Sequence, residues 1–141
     1  MSVGYDVERF VAAQDDGVYE QALGELRRGR KSGHWMWFVF PQLAGLGRSA
    51  TAQHYAIASL DEARSYLAHP VLAARLRECA RVVAALPPGA EAIFGGIDAV
   101  KLRSSMTLFT HADPDEPAFR AVLDRHFAGE PDELTERLLA M

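Results

Sequence analysis

The chain has 141 residues, 49% of them hydrophobic and 24% charged, with a formal net charge of -4. This predicts one globular domain spanning residues 1–141, and the acidic balance argues against a general nucleic-acid binder, which carries a basic face. A single cysteine, Cys79, excludes an intrachain disulfide, and neither a leader-like N-terminus nor an apolar run of spanning length is present, so a cytoplasmic, non-membrane protein is expected.

In chain order, Asp6 is placed to cap a short first helix with Phe10 and Val11 on its apolar side. Asp15, Asp16 and Gly17 break it. A second helix carries Tyr19, Ala22, Leu23 and Leu26 at helical spacing and ends in the basic cluster Arg27, Arg28, Arg30 and Lys31, with Gly29 as its stop. Then comes an unbroken apolar run, Trp35 to Phe40, bracketed by Lys31, His34 and Gln42. A strand here has no evident partner for its backbone groups. The spacing therefore predicts a short helix from about 34 to 40, buried on all sides and ended by Pro41.

Ser49 is a cap for a helix carrying Ala52, Tyr55 and Ala56. Ser59 with Glu62 reads as a capping box opening a helix whose inner side is Leu60, Ala63, Tyr66 and Leu67. Pro70 opens the clearest helix, with Leu72, Leu76, Cys79, Val83 and Leu86 as its stripe; Pro87, Pro88 and Gly89 end it. Gly95 and Gly96 lead into a helix from about 97 to 110 with Leu102, Met106 and Phe109 inward. Asp113-Pro114 starts another, with Phe119, Val122, Leu123 and Phe127 inward and Gly129 as its stop. Asp132 caps a last helix carrying Leu134, Leu138 and Leu139. The fold class expected is all-α, a compact single-domain bundle of short, irregularly crossing helices.

Two stretches are candidates for chemistry. In the first, paired glycines, Gly95 and Gly96, precede a helix and allow backbone amides to approach an anion. Lys101 follows at the right reach to hold it, or to act as a base toward Ser104 or Ser105. The same residues also fit a plain helix start, with Asp98 as cap, Lys101 paired to it and the serines bonded back to the preceding turn. The second candidate is the rim of the aromatic run, where Lys31, His34, Trp35, Trp37 and Gln42 set flat indoles beside a cation and an amide, a seat for a planar ring. Plain core packing explains the tryptophans equally well. None of the five histidines is paired at metal-ligand spacing, so no metal site is expected, and no cofactor motif is present.

The motifs Arg9-Phe10-Val11-x-Ala13-Gln14, Lys31-x-x-His34-Trp35-Met36-Trp37-Phe38-x-Phe40-Pro41-Gln42, Tyr66-Leu67-x-His69-Pro70 and Lys101-x-x-Ser104-Ser105-Met106-Thr107-Leu108-Phe109 resemble a bacterial family of small α-helical proteins of unknown function, often labelled calpastatin-like. The resemblance covers nearly the whole chain. It implies an all-α fold and carries no established activity. A weaker likeness, through Thr51-Ala52-Gln53-His54-Tyr55, is to the NADAR group, linked to NAD and ADP-ribose chemistry, with Gln53 standing where that group has an acid.

Together these residues point to a binder, and as an enzyme a hydrolase, for a small anionic, ring-bearing metabolite of nucleotide-like or ADP-ribose-like class. Lys101, Ser105 and His34 are its catalytic candidates; Lys31, Trp35, Trp37, Gln42, Gly95, Gly96 and Ser104 are its ligand-binding candidates. The alternative is a non-catalytic protein-interaction module, for which these side chains scatter and an exposed apolar patch lies elsewhere. Sequence fixes neither the oligomeric state nor the presence of catalysis.

Overall fold

The structure is a computed structural model describing residues 5–141, so the expectation drawn from residues 1–4 lies outside it. Among the described residues there are ten helices and no strand: α1 (Glu8–Gln14), α2 (Val18–Arg27), α3 (Met36–Val39), α4 (Ala50–His54), α5 (Leu60–Ala68), α6 (Pro70–Ala85), α7 (Ala90–Phe94), α8 (Gly96–Ala112), α9 (Pro117–Phe127) and α10 (Glu133–Ala140). The all-α bundle expected from periodicity is the fold observed. None of these helices is long and apolar enough to cross a membrane.

The spine is α8, against which α5, α7, α9 and α10 pack. Its burial is wider than the stripe Leu102, Met106 and Phe109: every residue from Ser104 to Phe109 is enclosed. Two of its three polar members, Ser104 and Thr107, are accommodated by bonding back along the helix. The hydroxyls of Ser104 and Thr107 donate to the carbonyls of Val100 at 3.1 Å and Arg103 at 2.8 Å, which satisfies buried groups without a partner helix. On the other side α6 packs between α9, α2 and α5, burying Leu72, Leu76, Cys79 and Val83 as its spacing predicts.

Most caps fall where the sequence places them. Ser49 accepts from the Ala52 amide at 3.0 Å. His69 caps α6 ahead of Pro70. Asp132 accepts from the Thr135 amide at 3.0 Å. Ser59 accepts from the Glu62 amide at 3.2 Å, but Glu62 returns the bond to Ala58, at 2.7 Å, and not to Ser59. Three expectations are corrected. Val7, not Asp6, stands at the cap of α1, and the Asp6 carbonyl instead accepts from the Arg9 guanidinium. The helix α9 opens at Glu116-Pro117 and not at Asp113-Pro114, because Glu116 caps the Ala118 amide at 3.2 Å. Leu134 faces outward, 49% exposed, while Thr135 takes the inner position.

Arg9 is the tie between the N-terminal helix and the α4–α5 region. Its guanidinium pairs with Glu62 at 2.9 Å, both side chains largely buried, and donates to the carbonyls of His54 and Ala56, each at 2.9 Å. A parallel bridge between Leu43 and Ile57 holds the loop after the aromatic run against the same segment.

Candidate functional site

The site is built from the end of α2. Gly29 takes the left-handed conformation, φ 75°. Its amide bonds to Leu26 at 2.9 Å and that of Arg30 reaches back to Glu25 at 3.1 Å, a Schellman-type ending that a side chain at Gly29 would strain. The chain then turns sharply, and the Lys31 amide bonds to the Ile93 carbonyl of α7 at 2.8 Å.

One buried carboxylate organises the turn. Glu25 Oε1 accepts from the amides of Ser32 at 2.7 Å and Gly33 at 2.8 Å and from the Trp35 indole N–H at 2.9 Å, while Oε2 accepts from Gln21 at 3.0 Å. Burial by itself would push this carboxyl up. The Gly33 and Ser32 amides, then Gln21 and Trp35, outweigh it and hold it at about 2, because each bond favours the ionised form. A Cβ on Gly33 would stand 2.9 Å from the Trp35 ring and 3.2 Å from Glu25 Oε2, so only glycine lets the backbone close on the carboxylate.

The expected short helix is present as α3, but it is not enclosed on all sides. Met36 and Val39 are buried and flanked by buried Trp35 and Phe40; Trp37 and Phe38 are half-exposed. Trp35, 2% exposed, packs against Phe40 and Phe94 at ring separations of 6.3 and 6.4 Å. It has no surface for a ligand, so its place among the ligand-binding residues is corrected to the core.

Lys31 and Lys101 converge on one carboxylate. Asp98 lies 2.8 Å from Lys31 Nζ and 3.5 Å from Lys101 Nζ; it pairs with both and does not cap α8. Two cations against one anion leave the trio with one positive charge. Lys101 Nζ also sits 4.9 Å from the centre of the Trp37 ring, within the range of a cation–π attraction.

Each residue of the Lys101–Trp37 contact lines a hollow of its own. The first, about 460 Å³, is lined by His34, Trp37, Thr51, His54 and Tyr55 with Phe38; the rings of Phe38 and Tyr55 are 5.4 Å apart. The second, about 370 Å³, has Lys101, Gln42, Ser104 and Asp132 as its polar lining. Ile97, Val100 and Leu134 form its apolar wall, exposed by 77%, 60% and 49%. Lys101, Gln42 and Ser104 thus share one groove, Trp37 and His34 share the other, and Lys101 touches Trp37 between them.

Ser105, Gly95 and Gly96 fall outside these hollows. Ser105 is completely enclosed, and its hydroxyl has no hydrogen-bond partner, so it is out of reach of any substrate. The Ser104 hydroxyl is committed to Val100. Gly95 and Gly96 are exposed at the start of α8; Gly96 lines a separate hollow with Arg103 and His126. His34 and Lys101 line different hollows. No cluster of three or more metal-ligating side chains occurs among the described residues.

Sequence reasoning did not single out Glu25, because its partners lie across a helix end and follow no periodic spacing. His54 and Tyr55 are legible there only as members of the NADAR-like stretch, and Tyr55 also as a residue of the Ser49-capped helix, not as site residues. The local signal for them is the pairing of a histidine and a tyrosine at the end of a capped helix, close in kind to the rim around Trp37.

Chain, fold and site together describe a small all-α protein with an aromatic hollow and a lysine-bearing groove. The chain belongs to the family described as Protein of unknown function (DUF1810), whose model matches residues 4–139. It is similar to the crystal structure of the conserved hypothetical protein Rv1873 from Mycobacterium tuberculosis, with 49% identity, 97% of this chain and 98% of that chain covered, and a TM-score of 0.94. No curated protein matches the chain. Neither the family nor that solved structure gives support to the calpastatin-like label or to the NADAR likeness.

Proposed function

We propose that this protein binds a small anionic metabolite carrying a planar ring, nucleotide-like in class, at the Lys101–Trp37 contact. The ring stacks on Trp37 in the hollow shared with His54 and Tyr55, and the acidic group lies at Lys101 with the Gln42 amide beside it. The observation that carries this reading is the contact of Lys101 Nζ with the half-exposed Trp37 ring, 4.9 Å from its centre, within a trio of one net positive charge. An aromatic platform contributes about 1–3 kcal/mol per stacked base, and an ammonium adds a charge-assisted bond to a phosphate or carboxylate. The reading is one of binding alone, since Ser105, the nucleophile candidate, is fully enclosed. The single buried cysteine fits a reducing, cytoplasmic compartment, where such metabolites occur.

The test is calorimetric titration with AMP, ADP-ribose and NAD, using adenosine as the uncharged control. Lys101→Met should weaken AMP about tenfold, since a bond to a charged group contributes roughly 1.5–3 kcal/mol, and leave adenosine unaffected. Trp37→Ala should weaken both. The melting temperature of Lys101→Met should stay nearly that of the wild type, because Asp98 keeps its closer pair with Lys31 at 2.8 Å and loses only the 3.5 Å one. Equal affinities for AMP in all three proteins, or no binding by any, would refute the reading.

A second reading, a protein-interaction module, rests on the exposed wall of Ile97, Val100 and Leu134. These three line the Lys101 groove itself and do not lie elsewhere on the molecule. Val100→Asp separates the readings: it abolishes docking of an apolar partner surface but leaves adenosine stacking at Trp37 intact.

A further inference from the structure

We infer that the groove between α2 and α6 is a second anion site, one that takes a small polyphosphate through Arg27, Arg75 and Arg81. The groove, about 430 Å³, is lined by these three arginines, Glu78, Ala74 and Val82. Three guanidinium groups against the one lining carboxylate leave two positive charges in the groove, on a chain whose formal net charge is -4.

Arg75 is the fixed member. It is half-buried and, among the described residues, pairs with no carboxylate. Its guanidinium carbon lies 4.8 Å from the centre of the Tyr19 ring, and one N–H donates to Gln14 Oε1 at 3.3 Å. Gln14 is itself buried and held by its bond to the Phe38 carbonyl at 2.8 Å. A guanidinium has five N–H donors in a rigid fork, and this is the one protein hydrogen bond Arg75 makes among the described residues. The buried amide and the ring orient the fork before any ligand arrives.

Arg27 and Arg81 are the exposed members, their side chains 60% and 64% exposed. Each has only a long ion pair, Arg27 to Glu78 at 3.5 Å and Arg81 to Glu116 at 3.6 Å. Glu116 is more closely engaged by Arg77, at 2.8 Å, and Glu78 accepts the Tyr19 hydroxyl. Both arginines are therefore weakly committed. Guanidinium forks match the paired oxygens of a phosphoryl group, and a groove with two excess charges favours a diphosphate over a singly charged carboxylate.

The site is tested with inorganic pyrophosphate, titrated by calorimetry at low ionic strength into the full chain carrying Lys101→Met, so that the groove beside Trp37 does not contribute. Arg75→Gln and Arg81→Gln are added singly to that background, with Arg120→Gln as a surface control of equal charge change. We expect saturable one-to-one binding, weakened about tenfold by either groove substitution and within twofold of the starting value for the control. Arg81 serves if Arg75→Gln impairs folding through Gln14. Absence of saturable binding, or equal weakening by Arg81→Gln and Arg120→Gln, would overturn the site. The proposed nucleotide site is read separately, by adenosine and AMP on the Lys101-containing protein, so either can fail alone.

Discussion

Replacing Glu25 by glutamine should destabilise the fold by about 3 kcal/mol at neutral pH, and the deficit should vanish in acid. The carboxyl is held at about 2 against an ordinary value of 4.5, a difference worth about 3 kcal/mol between its ionised and protonated forms. The side chain is buried, so solvent screening takes little from that figure. Glutamine keeps an oxygen for the Ser32, Gly33 and Trp35 donors but loses the charge, which makes the variant a copy of the protonated wild type. Because the folded value lies below the unfolded one, the wild type holds this advantage in full above about pH 4.5 and loses it as the pH falls toward 2. Urea unfolding of both proteins between pH 7 and pH 3 measures it. The gap should be constant down to about pH 4.5 and then shrink by about 2 kcal/mol by pH 3. A gap under about 1 kcal/mol at pH 7, or one that does not change with pH, would refute the assignment of Glu25 as the charged centre of the 31–35 turn.

The two tryptophans should separate in denaturant melts. Trp35→Ala is expected to cost about 3–5 kcal/mol through lost area and a cavity, whereas Trp37→Ala, at a half-exposed position, is expected to cost about 1–2 kcal/mol; equal costs would contradict the burial assigned to them. Cys79 is fully buried, and burial, the largest influence, pushes its thiol up to about 12. Native protein should therefore resist an aromatic disulfide reagent at pH 8 until urea opens the core; rapid reaction without denaturant would show that α6 does not enclose the thiol.

The helices were legible because periodicity and caps are local. The stripe from Leu72 to Val83 and the caps at Ser49, His69 and Asp132 need only a few residues of context. Elements that answered to distant partners were not legible. A capping Asp6 gives way to Val7, and the Asp6 carbonyl instead serves Arg9, whose guanidinium also reaches Glu62. The serine pair looks like a pair of nucleophile candidates because sequence shows a hydroxyl near a lysine but not the direction it faces: Ser104 and Ser105 lie in the fully enclosed stretch from Ser104 to Phe109, while Lys101 on the same helix lines a groove.

The same blindness to distance explains the aromatic run. Six apolar residues in a row read as uniformly buried, yet a helix of four residues cannot bury every side when the loop before it is pinned to Glu25 and the chain after it must reach Ile57. Anchoring Trp35 inward through its indole N–H sets the register of the next residues, which leaves Trp37 half-exposed and Phe38 packed only at the edge of the core. The exposed indole beside Lys101 is thus a consequence of the buried carboxylate at Glu25. A change that releases the 31–35 turn acts on Lys31, Asp98 and the Trp37 platform together, which ties the stability of this fold to the geometry of its candidate site.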